Sequence, residues 1–224
     1  MTEIRLETER LLLRPFGPED LDLVALLYGD PELLRYTPFD VLSPTQAKAH
    51  LDRIVTDWRE DPLRSLEFVM ARKPAAGEAP EEKLGRCHIL IDPETDTGMI
   101  GWFLRREYRG MGYAREAGRA LIRACFRTLG LHRVNAVCHP ENLASRRALE
   151  RCGLRLEAWF RRKCPYRKNG ALSWEDELEY ALLASEWAGG EGAPGRDGLP
   201  GETRTDPMRP KETKQDAADE KEVD

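Results

Sequence analysis

The sequence predicts a mixed α/β domain, one twisted sheet of parallel and antiparallel strands flanked by helices. Three observations carry the prediction. Short apolar runs rich in Leu, Val, Ile and Phe alternate with stretches whose apolar residues recur every three to four positions. Their order is strand, helices, strands, a glycine-bearing turn into a long helix, strand, helix and two strands, so hairpins and helical crossovers share one chain. After Trp187, Gly, Pro and charged residues displace almost every large apolar side chain. That composition cannot offset its own ordering entropy, so we expect a folded domain over 1–187 and a disordered tail over 188–224.

Each element has a local reason. Thr8–Phe16 reads as the first strand, stopped by Pro15 and by Gly17-Pro18. Leu21, Val24, Ala25 and Tyr28 fall at helical spacing before Gly29, and Asp30-Pro31-Glu32 restarts a short helical turn. Ser43-Pro44-Thr45-Gln46 is a helix start, with a serine cap, proline at the first helical position and glutamine at the third. That helix runs to about Trp58. Leu66–Arg72 and Leu84–Ile91 are strands, joined by an exposed loop over Lys73–Lys83.

Ile100–Leu104 is a further apolar strand, and Tyr113 to Leu129 is a long amphipathic helix ended by Gly130. Arg133–His139 fits a central strand, ended by Pro140. Asn142 then caps a helix that Gly153 stops. Two last strands, Leu156 to about Lys163 and Trp174 to about Leu183, connect through the polar turn Arg167–Gly170.

Composition excludes several classes. No apolar run approaches the roughly 20 residues of a membrane helix, and the first residues lack an apolar export core, so we expect a cytoplasmic protein without a membrane partner. Cys87, Cys125, Cys138, Cys152 and Cys164 are odd in number and form no C-x-x-C pair, as suits reduced thiols. No spacing of His, Cys and carboxylates suggests a metal. The net charge of -5 argues against a general nucleic-acid binder. The tail supplies most of it, with ten acids against six bases.

The stretch with chemical content is Arg109-Gly110-Met111-Gly112-Tyr113-Ala114, where a strand hands over to the long helix. A helix N-terminus presents unpaired N–H groups and a favourable dipole, glycines allow close backbone approach, and arginine adds a charged fork. Such a junction can cradle a phosphate. It lacks the Gly-Lys-Ser/Thr ending of a nucleotide-triphosphate loop, and Arg115 holds the third glycine place of a dinucleotide fingerprint.

With its surroundings, this stretch resembles the GNAT superfamily of acetyl-CoA-dependent N-acetyltransferases. The family's pyrophosphate loop, Arg/Gln-x-x-Gly-x-Gly/Ala, is matched at Arg109, Gly112 and Ala114. Leu6–Pro15, the block Gly101-Trp102-Phe103-Leu104 leading into Glu107-Tyr108-Arg109-Gly110, and Asn142-Leu143-Ala144-Ser145 are similar to the branch containing the ribosomal-protein N-terminal acetyltransferases. Arg105-Arg106 depart from that branch, which often has an acidic residue and proline there.

The resemblance implies a fold whose central strands splay apart and a gap that receives the pantetheine arm of acetyl-CoA. It further implies that Phe103, Leu104 and Arg105 lend backbone groups to that arm, and that residues Arg109, Gly110, Met111, Gly112, Tyr113 and Ala114 hold the pyrophosphate. Asn142 would cap its helix and bond the cofactor arm, and Ser145 would stabilise or protonate the departing thiolate. No metal enters. The acceptor is a primary amine, either a peptide N-terminus or a small amine such as a polyamine or antibiotic; an acyl-CoA sensor without turnover is the other reading. Members of this branch are commonly monomers or homodimers. Glu67, His88, Glu107, Glu157 and Asp176 are conceivable general bases, and no spacing singles one out.

Overall fold

The computed structural model describes residues 4–57, 63–74 and 81–187. The tail beyond Trp187, Trp58 and residues 75–80 of the expected loop lie outside the described residues. Eight strands form one sheet: β1 Leu6–Glu7, β2 Leu11–Pro15, β3 Ser65–Arg72, β4 Glu82–Asp92, β5 Thr97–Leu104, β6 Arg133–Cys138, β7 Arg155–Lys168 and β8 Ala171–Leu183. Their spatial order is β1-β2-β3-β4-β5-β6-β8-β7. Every pair is antiparallel except β5 with β6. A parallel pair needs a long crossover. Helix α3, Tyr113–Arg123, provides it.

Alternation on β3, β4 and β5 divides the core. Leu66, Phe68, Met70, Cys87, Ile89 and Ile100 pack towards α3 and α4, Leu143–Cys152. Val69 and Ala71 face α1, Leu21–Gly29, and α2, Pro44–Asp57. Both faces are covered, as a mixed sheet of this size requires.

Helix α2 begins as the sequence predicts. The Ser43 N–H donates to Gln46 Oε1 at 2.8 Å, and the Gln46 N–H donates back to Ser43 Oγ at 3.3 Å. Ser43→Ala removes half of this reciprocal cap and is expected to lower stability by about 1 kcal/mol, read as a shift in the urea midpoint.

Of the boundaries that differ from expectation, four have a plain local reason. The first strand is a small hairpin, because the Thr8 N–H and hydroxyl both turn back to the Leu11 carbonyl. Glu82 and Lys83 belong to β4, where they pair with Arg72 and Ala71. Regular α3 stops at Arg123, and Ala124–Thr128 forms one wider turn in which the Leu129 N–H reaches the Ala124 carbonyl at 2.9 Å. The last two strands run on to a two-residue Asn169-Gly170 turn, with φ of 51° and 79°. Asn-Gly is the pair such a tight hairpin favours, since both residues tolerate positive φ.

The feature that positions the site is the incomplete ladder at the centre. Strands β5 and β6 pair only over Thr97–Met99 and Arg133–Asn135. Beyond that, β5 follows β4 as far as Leu104, and β6 follows β8 as far as Cys138. The two strands therefore diverge. Val137, on a central strand, is consequently 37% exposed.

Candidate active site

The glycine turn sits at the wide end of the gap. Gly110 and Gly112 adopt φ of 77° and 86°, and Met111 between them points outward, 54% exposed. Gly112 is the N-cap of α3, and its carbonyl accepts the Glu116 N–H. The N–H groups of residues 110–115 have no acceptor among the described residues. A carboxylate in the first helical turn could have claimed them. Glu116 is instead drawn away to the turn between β1 and β2, accepting from the Arg10 N–H at 2.8 Å, Arg10 Nε at 2.7 Å and the Thr8 hydroxyl at 2.5 Å. Arg10 also braces the turn, donating to the Met111 carbonyl at 3.1 Å and lying over the Tyr113 ring. Arg109 reaches back, its Nε 3.4 Å from the Leu104 carbonyl. The result is a fixed rim of free donors, suited to a pyrophosphate.

Along β5 the structure moves one expectation by a residue. The Arg105 N–H is taken by the Leu84 carbonyl at 3.0 Å. Because bonding direction alternates in an antiparallel ladder, Phe103 and Arg105 turn their backbone groups to β4, while Trp102 and Leu104 turn theirs to the gap. Of Phe103, Leu104 and Arg105, only Leu104 turns its backbone groups to the gap, and Trp102 does so as well. The period-two alternation was visible in the sequence, but its phase relative to the gap was not.

Across the gap, beyond the diverging end of β6, lie Asn142 and Ser145. Asn142 Oδ1 accepts the Ser145 N–H at 3.1 Å, so the asparagine is a true cap of α4. The Ser145 hydroxyl faces the thiol of Cys138, the last residue of β6. Burial pushes that thiol up to about 11, which keeps it neutral. Tyr166 is buried beside it, its phenol raised by burial.

The structure separates the five conceivable bases. Glu107 pairs with Arg105 at 2.5 Å on the surface, and Glu157 is held by Arg133 and Arg155. Asp176 accepts from Trp159 Nε1 and from the Arg162 N–H. Hydrogen bonds hold all three carboxyls below the usual range, from its own backbone N–H first for Glu107 and from neighbouring residues for the other two. Glu67 and His88, a cross-strand pair, lie on the α1–α2 face. There the Arg86 guanidinium binds Glu67 at 2.9 Å, His88 Nδ1 at 2.8 Å and the Tyr28 hydroxyl. Burial disfavours charge on both Glu67 and Arg86, raising one to about 7 and lowering the other to about 10; their ion pair opposes both shifts.

His139 is packed rather than poised. Its Nδ1 accepts the Glu141 N–H, Nε2 faces Glu175 at 3.7 Å, and its ring stacks on Tyr36. Over this face the α1–α2 connection meets the β7–β8 turn. Lys168 Nζ donates to the Leu34 and Arg35 carbonyls at 2.8 Å, and the Asn169 N–H donates to Asp40. Nothing in the sequence signalled that long-range bridge.

A splayed parallel pair that ends at a rim of free helix N–H groups is the arrangement a CoA arm would need. The description "Acetyltransferase (GNAT) domain" matches residues 10–155. The chain belongs to the GNAT acetyltransferase family. The N-acetyltransferase YnaD of Bacillus subtilis is 30% identical over 184 residues, covering 82% of this chain and 99% of that relative. Two solved structures share the GNAT fold at lower identity. RimL, a ribosomal α-N-protein acetyltransferase in complex with coenzyme A, is 19% identical with a TM-score of 0.66, covering 80% of this chain and 98% of that one. The spermidine N-acetyltransferase of Vibrio cholerae, in complex with CoA and spermine, is 19% identical with a TM-score of 0.65 over the same shares. Among the described residues no helix is long and apolar enough to cross a membrane, and no group of His, Cys, Asp and Glu gathers as a metal site.

Proposed function

We propose that this GNAT protein transfers the acetyl group of acetyl-CoA directly to a primary amine. The observation that carries the reading is the divergence of β5 from β6 directly beside the unpaired N–H groups of residues 110–115. Arg109, Gly110, Met111, Gly112, Tyr113 and Ala114 bind the pyrophosphate. The Trp102 and Leu104 backbone groups bind the pantetheine arm, and the Trp102 N–H polarises the thioester carbonyl. Asn142 holds the start of α4 and places Ser145 near the sulfur.

The unprotonated amine nitrogen attacks the thioester carbon, the carbonyl electrons move to oxygen, the collapse of that oxyanion expels the thiolate, and the nitrogen releases one proton to water to leave the amide. Holding both reactants in line removes much of the entropic cost of a bimolecular step. Ser145 donates its hydroxyl hydrogen bond to the departing sulfur. A Ser145→Ala variant is expected to lose about tenfold in kcat at pH 7 with little change in KM for acetyl-CoA. The hydroxyl stays protonated throughout, so the loss should hold across pH 7 to 9. A wild-type kcat in Ser145→Ala would remove Ser145 from the chemistry.

The acceptor is a peptide N-terminus or a small polyamine, the two classes represented by RimL and the spermidine enzyme. Calorimetry with acetyl-CoA, followed by thiol release across peptides, polyamines and aminoglycosides, tests the proposal. Absence of binding sinks it; binding with no acetylation of any amine identifies a sensor instead.

A further inference from the structure

His88 is polar, lies beside the gap and has no role in the scheme above. Its ring lies against Gly101: a Cβ there would stand 2.5 Å from His88 Cε1 and 2.8 Å from Nε2. Glycine at 101 is therefore what admits the imidazole. Gly101 lies two residues past the last β5–β6 pair, Met99 with Asn135, and next to Trp102. The ring thus sits at the vertex of the gap, on the face roofed by α1, α2 and the β7–β8 turn.

The proton's place on the ring follows from its partners. Arg86 Nη2, 2.8 Å from His88 Nδ1, has only hydrogens to offer. The Nδ1 lone pair is therefore occupied, and the neutral ring carries its proton on Nε2. That Nε2–H has no acceptor among the described residues. The groups around the ring are Arg86 on its own strand, Glu67 on β3, and Tyr28 on α1, with His50 of α2 against Tyr28. Glu67 is committed to Arg86, so the imidazole meets a cation on one side and no free carboxylate to stabilise a second charge. Burial and Arg86 both lower its pKa, to about 3.

We propose that His88 donates its Nε2–H to the carbonyl oxygen of the bound acetyl thioester, as a second donor beside the Trp102 N–H. The inference rests on the acetyl-CoA reading and deepens it: the histidine expected among the candidate bases acts as a neutral electrophile. A neutral imidazole costs no proton transfer and strengthens its hydrogen bond as charge develops on oxygen. Arg86 is the positioning residue, since it fixes the tautomer, and Gly101 leaves the ring its room.

Isotope-edited infrared spectroscopy on acetyl-CoA labelled at the carbonyl carbon tests this without any acceptor. Bound to wild type, the thioester stretch should fall below its value in water. His88→Ala should recover part of that fall, and His88→Gln, which still offers an N–H, should keep it. Nitrogen-15 spectra of wild type should show His88 protonated on Nε2 and untitrated from pH 5 to 9. With an amine acceptor, His88→Ala should lose about 100-fold in kcat at unchanged acetyl-CoA affinity. A stretch identical in wild type and His88→Ala, a proton on Nδ1, or titration near 6.5 would each overturn the proposal. Failure of wild type to bind acetyl-CoA would overturn the parent reading instead.

Discussion

A Gly112→Val variant is expected to bind acetyl-CoA on the order of 100-fold more weakly than wild type, measured by calorimetry. Gly112 holds φ at 86°, where a β-branched residue is strained by about 1–2 kcal/mol. Relaxing that strain rotates the N–H groups of residues 112 and 113 off the phosphate, and each hydrogen bond to a charged group contributes about 1.5 kcal/mol or more. The strain is what drives the rotation, and the two hydrogen bonds lost to it come to about 3 kcal/mol, or about two decades in Kd. Gly130 provides the control, because it has φ of 65° beyond the far end of the same helical run, roughly 25 Å away. Gly130→Val should lower Tm without changing Kd. If both variants bind acetyl-CoA like wild type, the turn does not hold the pyrophosphate.

The same turn shows why part of the candidate site was legible in the sequence. A run of free N–H groups at a tight turn needs glycines and a helix start close together, so Arg109 to Ala114 stand as one uninterrupted string. The Ser43 and Asn142 caps were legible for the same reason, since capping is an interaction across three residues. What the sequence hid is non-local. The divergence of β5 from β6 depends on which outer neighbour each strand follows, and no residue on β5 records where β8 lies. Likewise Glu116 reads as an ordinary first-turn acid, but its capture by Thr8 and Arg10 leaves the helix N-terminus free. His88 was one of five bases on paper. Only the third dimension sets Arg86 on its lone pair and Gly101 beneath its ring.

The second large effect concerns stability. Asp20→Asn is expected to destabilise the domain by about 3 kcal/mol, which for this size lowers Tm by roughly 10 °C. Asp20 is 0% exposed at the entry to α1. It accepts from Arg14 Nη1 at 2.7 Å, Arg14 Nη2 at 2.9 Å, Lys83 Nζ at 2.9 Å and the Gly17 N–H at 2.8 Å. The amide leaves two cations converging on a neutral group, and the surviving partners, Glu81 and Asp22, are more exposed. The pH dependence follows in sign. Hydrogen bonds from Arg14, Gly17 and Lys83 overcome the effect of burial and depress the Asp20 pKa in the folded state. A depressed carboxylate contributes its full stabilisation above the unfolded value of about 3.9 and loses it as pH falls through the lower folded value. Urea titrations should therefore show a steep acid limb below about pH 4 in wild type and a shallower one in Asp20→Asn. Parallel limbs would mean that the network is neutral in the folded protein. The variant, studied below its own Tm, should still bind acetyl-CoA normally, because Asp20 anchors α1 to β2 and β4 and touches none of the residues around the gap.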